Sequence, residues 1–222
     1  MIRHTKVDTG RKIQEMLVPT MDTARTMYLL DLCIKHHRPV LFCGPTGTGK
    51  SVYVQEQLMN NLPRESYSPS FLAFSAQTSA NQTQMIIMSK LDKRRKGYFG
   101  PPIGKKAVIF IDDVNMPAKE IYGAQPPIEL LRMYFDHGYW FELKEMTKLV
   151  LEDILLVAAM GPPGGSRQSL TPRFLRHFNI ISTPPFNDET MNRIFSTLYS
   201  TYLRVITSVF SFTLNIFLNY FF

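Results

Sequence analysis

A glycine-rich segment of eight residues, Gly44-Pro45-Thr46-Gly47-Thr48-Gly49-Lys50-Ser51, constrains the fold of this chain more than any other feature. It directly follows the apolar run Val40–Cys43, which is typical of a strand that is buried on both faces of a sheet. Residues 51–60, which come next, favour a helix. A strand, a loop of the spelling G-x-x-x-x-G-K-[ST] and a helix together predict the phosphate-binding loop of a nucleotide-binding α/β domain.

The residue types in this loop fit the chemistry of a triphosphate. Glycine allows the backbone to turn, so that successive N–H groups face phosphate oxygens, and the N-terminal end of the next helix adds a positive potential. Lys50 is predicted to reach the β- and γ-phosphates, and the Ser51 hydroxyl is predicted to ligate Mg²⁺. All eight residues of the loop are therefore candidate ligands of a nucleoside triphosphate.

A second apolar run, residues 107–111, ends in the carboxylates Asp112 and Asp113. Asp112, at the end of a neighbouring strand, is predicted to associate with Mg²⁺. A strand at residues 71–74 separates loop and acid in the sequence, which suits the P-loop division in which a second acid polarises the attacking water. Asp113 holds that place, where glutamate is usual; the alternative is a helix or turn cap. Because aspartate is one methylene shorter and catalysis is sensitive to errors of about 1 Å, we expect slow hydrolysis.

The order of the other elements predicts a parallel sheet with helices on both faces. Helices are expected at residues 25–35, 79–91, 128–137 and 188–203, and further strands at residues 154–159 and Asn179–Ser182. Residues 140–143 and Lys148–Leu151 are expected to pair as a hairpin. The basic stretch after residue 91, which contains Gly97, Gly100 and two prolines, is predicted to be a loop.

Composition narrows the classes of function. The net charge of +7 comes in part from the run Lys90, Lys93, Arg94, Arg95, Lys96, Lys105 and Lys106. Without interleaved aromatic residues this run favours a solvated loop, so nucleic acid is not expected as a partner.

Two cysteines provide no disulfide framework, which favours a reducing, cytoplasmic setting. The uncharged residues 205–222 are diluted by serine, threonine and asparagine, so a membrane anchor is disfavoured. No N-K-x-D segment is present to read guanine, and adenine, hence ATP or ADP, is expected.

Four motifs in one order resemble an AAA+ module of an axonemal dynein heavy chain, and most closely its third module. They are the glycine-rich loop, Phe110-Ile111-Asp112-Asp113-Val114-Asn115-Met116-Pro117, Met160-Gly161-Pro162-Pro163-Gly164-Gly165 and Thr171-Pro172-Arg173-Phe174-Leu175-Arg176-His177-Phe178. The resemblance covers about residues 7–203. It implies a minus-end-directed microtubule motor of the cilium or flagellum, in which this module is a regulatory ATP site. The implied partners are neighbouring modules of a ring, other dynein chains and, only through the full-length motor, microtubules.

The resemblance also implies roles for residues that the sequence alone leaves open. Val18-Pro19-Thr20 is similar to the segment that lies against adenine, where the local alternative is an ordinary proline turn. Arg173 and Arg176 stand where such modules present an arginine finger to the adjacent nucleotide, and the alternative for each is a surface arginine. Met160 and Gly161 occupy the neighbourhood where the family has a polar sensor residue.

The resemblance also implies a domain organisation. Residues 1–24 are expected to be a linker and adenine-side loop, residues 25–183 the large nucleotide-binding subdomain, and residues 184–204 the start of a helical lid. An apolar tail, residues 205–222, would then replace a lid that is largely missing, as in a truncated fragment or isoform. The expected fold is thus that of a P-loop NTPase of the AAA+ type. The alternatives are a stand-alone P-loop ATPase or kinase, a nucleic-acid-dependent ATPase and a non-catalytic truncated product.

Overall fold

The computed structural model describes residues 16–142 and 145–221, with the backbone alone for residue 205 and residues 207–221. Contacts divide this part of the chain into two units. One unit is Arg25–Pro185, and the other contains the described residues up to Ala24 together with those from Phe186 onward. The first fifteen positions of the linker predicted at residues 1–24 lie outside the described residues, as does Leu143 of the predicted hairpin.

A five-stranded parallel sheet forms the centre of the unit Arg25–Pro185. The strands of the described chain are β1 (Val40–Cys43), β2 (Tyr67–Ala73), β3 (Asp92–Arg95), β4 (Tyr98–Gly100), β5 (Lys106–Asp112), β6 (Tyr139–Phe141), β7 (Lys148–Leu151), β8 (Ile154–Met160) and β9 (Asn179–Ser182). The order across the large sheet is β2-β5-β8-β1-β9, and every pair in it is parallel. The predicted α/β class with a parallel sheet is confirmed.

The sheet is covered on both faces by helices. The helices of the described chain are α1 (Met21–Lys35), α2 (Lys50–Glu56) with a π-helical continuation at Gln57–Asn61, α3 (Ala80–Met88), α4 (Pro126–His137), the short α5 (Pro172–Leu175) and α6 (Asp188–Phe221). Helices α1 and α2 pack on one face, and α3, α4 and α5 pack on the other. Ser79 starts α3 with a reciprocal capping box to Gln82, as its position before an apolar-periodic segment predicts. The predicted helices are present, although most of their ends differ by a few residues, as expected for ends read from sequence.

Side chains of the central strands point alternately to the two faces of the sheet, and both faces are buried. In β5, Ile109 and Ile111 pack in one cluster with helices α3, α4 and α5, whereas Val108 and Phe110 pack in the other with α1 and α2. All four side chains are at most 2% exposed. Because successive side chains of a strand point to opposite faces, a strand buried on both sides must be apolar throughout. This is the reason that β1, β5 and β8 stand out in the sequence.

A second, four-stranded sheet of order β3-β4-β7-β6 lies in the same unit. The predicted hairpin is confirmed for Trp140 and Phe141, which pair with β7 in the antiparallel pair β6 and β7. The loop predicted for the basic stretch is present at residues 101–105 but is wrong for residues 92–100, because β3 and β4 form an antiparallel hairpin around Lys96 and Gly97. Gly97 has a φ of +77°, which the turn requires and glycine adopts without strain.

The helix predicted at residues 188–203 continues to Phe221 as α6. Its first turn carries Asp188 and Glu189, and acidic side chains are stabilising near the positive, N-terminal end of a helix dipole. Within the described part of the chain, no helix combines the length and apolar character needed to cross a membrane.

Candidate nucleotide-binding site

The glycine-rich loop connects β1 to α2 with the backbone shape that its spelling predicts. Gly47 and Gly49 have φ values of +84° and +77°, in the left-handed region that favours glycine. Gly49 is the residue before α2, so no side chain caps the first N–H groups of that helix. Such uncapped N–H groups are available to bind an anion.

Lys50 lies inside the loop and is only 9% exposed. Its ammonium group donates hydrogen bonds to the backbone oxygens of Gly44 (2.7 Å) and Pro45 (2.6 Å) and to the Thr48 hydroxyl (3.2 Å). Burial lowers the pKa of Lys50, and the charges of Asp112 and Asp113 act in the opposite direction. The ammonium group of Lys50 thus lies at the N-terminal end of α2, where phosphate oxygens would have to bind.

Asp112 is the last residue of β5, but its strand is not the direct neighbour of β1. β8 lies between the two strands, so the expectation of an adjacent strand was wrong. The carboxyl ends of parallel strands meet at one edge of a sheet, which still brings the acid towards the loop. Its charge acts on Lys50, and one of its oxygens accepts a hydrogen bond from the Asp113 N–H (3.0 Å).

Asp113 has a φ of +49°, an uncommon conformation for a residue other than glycine. Among the residues that the structure describes, its side chain caps no helix or turn; one carboxylate oxygen instead accepts a hydrogen bond from Nη2 of Arg167 at 3.1 Å. Sequence reasoning missed Arg167, which lies 54 residues further along the chain. The signal that was present is the glycine-rich stretch before it, since repeated glycines in a loop mark close backbone approaches.

The two predicted finger arginines differ in their surroundings. Arg173 is exposed and makes no side-chain hydrogen bond or ion pair with the residues that the structure describes. Arg176 instead pairs with Asp136 at the end of α4. Asp136 also receives a hydrogen bond from Arg132 at 2.9 Å and lies 3.1 Å from Nε2 of His177. Of the two arginines, Arg173 is therefore the one whose side chain is not held by another described residue.

Asp136 links α4 to α5 and should contribute to stability in a pH-dependent way. The hydrogen bond from Arg176 is the main cause that lowers the pKa of Asp136 below its ordinary value of 3.8. A lowered pKa means that the stabilising pair is present above that ordinary value and is lost as the pH falls through the lowered one. We therefore expect Asp136→Asn to lower the unfolding temperature at neutral pH, with the difference disappearing in strong acid.

Thermal unfolding of the wild type and Asp136→Asn across this pH range would measure the effect. Asp92→Asn, at an exposed position of β3, is the matched control and should change little. A difference that stayed constant or grew towards low pH would contradict the assignment.

Val18-Pro19-Thr20 belongs to the other unit, so its contact with adenine stays a prediction. Locally, the Thr20 hydroxyl accepts a hydrogen bond from the Thr23 N–H at 3.1 Å, which caps the start of α1. Val18 and Thr20 are both buried. Thr20 therefore caps the start of α1, a role that the family resemblance does not imply.

The residues fit the groups that the loop spelling implies. The uncapped helix start and the buried Lys50 match the anionic phosphates, and the hydroxyl of Ser51 with the carboxylate of Asp112 offers the oxygen ligands that Mg²⁺ prefers. The parallel sheet, the loop after β1 and the two acids at the carboxyl end of β5 together define an α/β domain of the P-loop NTPase class.

Within that class, the chain belongs to the family of P-loop-containing dynein motor regions, whose model matches residues 5–186. Dynein axonemal heavy chain 12 of Rattus norvegicus is 62% identical over 205 residues, covering 92% of this chain and 7% of the relative. Dynein axonemal heavy chain 3 of Homo sapiens is 60% identical over 193 residues, or 87% of this chain and 5% of the relative. Dynein axonemal heavy chain 1 of Homo sapiens is 53% identical over 189 residues, or 85% and 4%. The chain thus spans less than a tenth of these relatives, and the resemblance to axonemal dynein heavy chains is confirmed.

Proposed function

We propose that this chain is a nucleotide-binding AAA+ module of an axonemal dynein heavy chain and that it binds ATP or ADP with Mg²⁺ at residues 44–51. The observation that carries the proposal is the buried Lys50, held in a glycine-shaped loop within the electrostatic reach of Asp112 and Asp113. A buried cation near two carboxylates and an uncapped helix start is an arrangement suited to a metal-bound polyphosphate.

Each residue has a role in this proposal. The loop N–H groups and Lys50 bind the phosphates, while Ser51 and Asp112 hold Mg²⁺, which neutralises phosphate charge. Asp113 accepts a proton from the attacking water, Val18-Pro19-Thr20 lies against adenine, and Arg173 or Arg176 reaches the nucleotide of an adjacent module.

The module is proposed to regulate the motor more than to drive it. Asp113 is shorter than the usual glutamate and is held by Arg167, and Met160 and Gly161 lie where a polar sensor is expected. These features favour binding with slow turnover. By its relatives' names, we place the chain in the axoneme of a cilium or flagellum, beside other modules of a ring and other dynein chains, with microtubules reached only through the full-length motor. The subdomain limits at residues 24, 183 and 204, and the identity as a third module, belong to this proposal.

A nucleic-acid-dependent ATPase has weaker support. Two members of the basic run are engaged within the chain, since Arg94 pairs with Asp153 at 2.6 Å and Arg95 pairs with Glu152 at 3.2 Å. Arg95 also stacks on the ring of Tyr98, 3.6 Å from its centre. Charges satisfied in this way contribute less to binding a polyanion.

The proposal is tested by the Mg²⁺ dependence of ATP binding. The wild type should bind a fluorescent ATP analogue with higher affinity in Mg²⁺ than in EDTA, and unlabelled ATP should displace it better than GTP. Asp112→Asn should reduce the ratio of ATP affinity in Mg²⁺ to ATP affinity in EDTA by about tenfold, because a carboxylate ligand becomes a neutral amide. The ATP affinity in EDTA should stay nearly unchanged.

Asp92→Asn again provides the control, because it removes an exposed carboxylate from another sheet. A wild-type chain that is folded but shows no saturable ATP binding would refute the proposed function. An Asp112→Asn variant with the full gain from Mg²⁺ would refute the metal assignment alone.

A further inference from the structure

Arg167 is a cation of the candidate site to which neither the loop spelling nor the family motifs give a role. Its Nη2 donates to Asp113 Oδ1 at 3.1 Å, with the two side chains 27% and 42% exposed. Since both side chains are partly exposed, the ion pair by itself contributes little to stability, and it can be exchanged for another anionic partner.

The backbone holds Arg167 firmly beside the end of β8. Arg167 and Gly164 exchange two backbone hydrogen bonds of 3.1 Å, and the next residue, Gln168, donates to the Asn115 carbonyl at 2.9 Å. The side chain passes directly over Gly161, where an added Cβ would lie 2.6 Å from its Nε. Gly161 therefore provides the space that the guanidinium occupies.

This position places two cations and two carboxylates at one edge of the sheet. β8 lies between the strand that precedes the loop and the strand that ends in the acids. The charge of Arg167 contributes to lowering the pKa of Lys50, whereas Asp112 and Asp113 oppose that change. Arg167 is thus close enough to act on the residue predicted to bind the β- and γ-phosphates.

The guanidinium has more donors than its partners use. Its Nε is buried and has no hydrogen-bond partner among the described residues, and Nη2 makes the bond to Asp113. A guanidinium has five N–H donors in a planar fork that matches phosphate oxygens. A buried, unused donor is costly unless a ligand satisfies the group, which favours an anionic ligand here.

We propose that Arg167 recognises the terminal phosphate of a bound triphosphate, in competition with its ion pair to Asp113. The inference rests on the proposed nucleotide site and adds a residue that distinguishes ATP from ADP. With a diphosphate, Arg167 stays on Asp113; with a triphosphate, the guanidinium moves to phosphate oxygens and the Asp113 carboxylate is released to accept a proton from water. Arg167 would thereby act at the end of β8, where the family has a polar side chain.

The test compares the affinities for Mg²⁺-ATP and Mg²⁺-ADP. Both are measured by calorimetry, and each measurement is completed before an appreciable fraction of the ATP is hydrolysed. Arg167→Ala should lower the ratio of ATP to ADP affinity by about tenfold or more, because charge-assisted bonds to one phosphate are lost. Asp113→Asn should raise the ratio, because the competing carboxylate is gone. The double variant should resemble Arg167→Ala, and Arg167→Lys should retain part of the ratio.

Arg64→Ala, which removes an exposed arginine, is the matched control and should leave the ratio unchanged. If Arg167→Ala fails to fold, Gly161→Ala provides a second route, since its Cβ displaces the guanidinium and should lower the same ratio. Equal ratios in all variants would overturn the inference, as would a ratio that Arg167→Ala and Asp113→Asn lower alike. Absence of ATP binding to the wild type is a different result and would refute the proposed site itself.

Discussion

Replacing Lys50 with alanine is expected to lower the affinity for ATP by about a hundredfold or more, because several charge-assisted hydrogen bonds to phosphate are lost together. The ammonium group has three N–H donors, and oxygens of its own loop at 2.6 to 3.2 Å accept from it. Phosphate oxygens would therefore replace some of these loop oxygens as partners of Lys50 when ATP binds. Titration with a fluorescent ATP analogue would measure the change.

Two comparisons separate this effect from unfolding. Lys90→Ala removes a lysine that is exposed, and its affinity should equal that of the wild type. Thermal unfolding of Lys50→Ala without nucleotide shows whether the loop still supports the fold. Unchanged ATP affinity in a folded Lys50→Ala variant would mean that the glycine-rich loop is not the phosphate site.

Gly44→Ala should destabilise the whole α/β unit. A Cβ at this position would lie 2.1 Å from the hydroxyl oxygen and 2.3 Å from the carbonyl oxygen of Thr183. Thr183 is itself tied to β1 by a hydrogen bond from its N–H to the Cys43 carbonyl at 2.8 Å. The clash can be relieved only by moving backbone, so we expect a loss of about 3 kcal/mol in the free energy of unfolding.

That loss corresponds to a fall of roughly 6–12 °C in the unfolding temperature for a chain of this size. Gly104→Ala is the control, because Gly104 has a φ of +86° but no atom within 4 Å of an added Cβ, so it reports backbone strain without a clash. Thr183→Ala should not rescue Gly44→Ala, since the carbonyl oxygen remains. Full rescue, or a Gly44→Ala variant as stable as Gly104→Ala, would show that the close approach is not what requires glycine.

The candidate phosphate site could be located in the sequence because its residues follow from local chemistry. Strand, glycine-rich turn, Lys50 and Ser51 are contiguous, and the pair Asp112-Asp113 follows the most apolar strand. The position of β8 between β1 and β5 could not be read in the same way, because strand order depends on pairing between distant segments. Periodicity reports which side of a strand is buried, and it carries no information about which strand lies beside it.

The side-chain partners were harder still to predict. Arg167 lies in a loop with no periodicity and finds Asp113 only through the folded sheet. The family resemblance implies a finger role for Arg176, yet within this chain Arg176 pairs with the carboxylate of Asp136 on α4. Ion pairs of this kind are three-dimensional properties, so a motif can name the residue type without naming its partner.

The backbone also offers a reason for aspartate at residue 113. A φ of +49° costs most residues roughly 1–2 kcal/mol, whereas aspartate and asparagine are among the side chains that tolerate it. The short side chain therefore suits the turn that follows β5. The sequence showed the exchange of glutamate for aspartate, and the dihedral angle supplies a structural explanation for it.

The hairpin strand β3 has a consequence for the behaviour of the chain in solution. It lies at the edge of the small sheet and consists of Asp92, Lys93, Arg94 and Arg95, four charged residues in succession. An edge strand exposes unpaired N–H and C=O groups that can recruit a strand from another molecule, and consecutive charges oppose that recruitment. Because all four residues are charged, β3 shows no alternation of apolar and polar residues in the sequence. The same charges oppose aggregation of the small sheet along that edge.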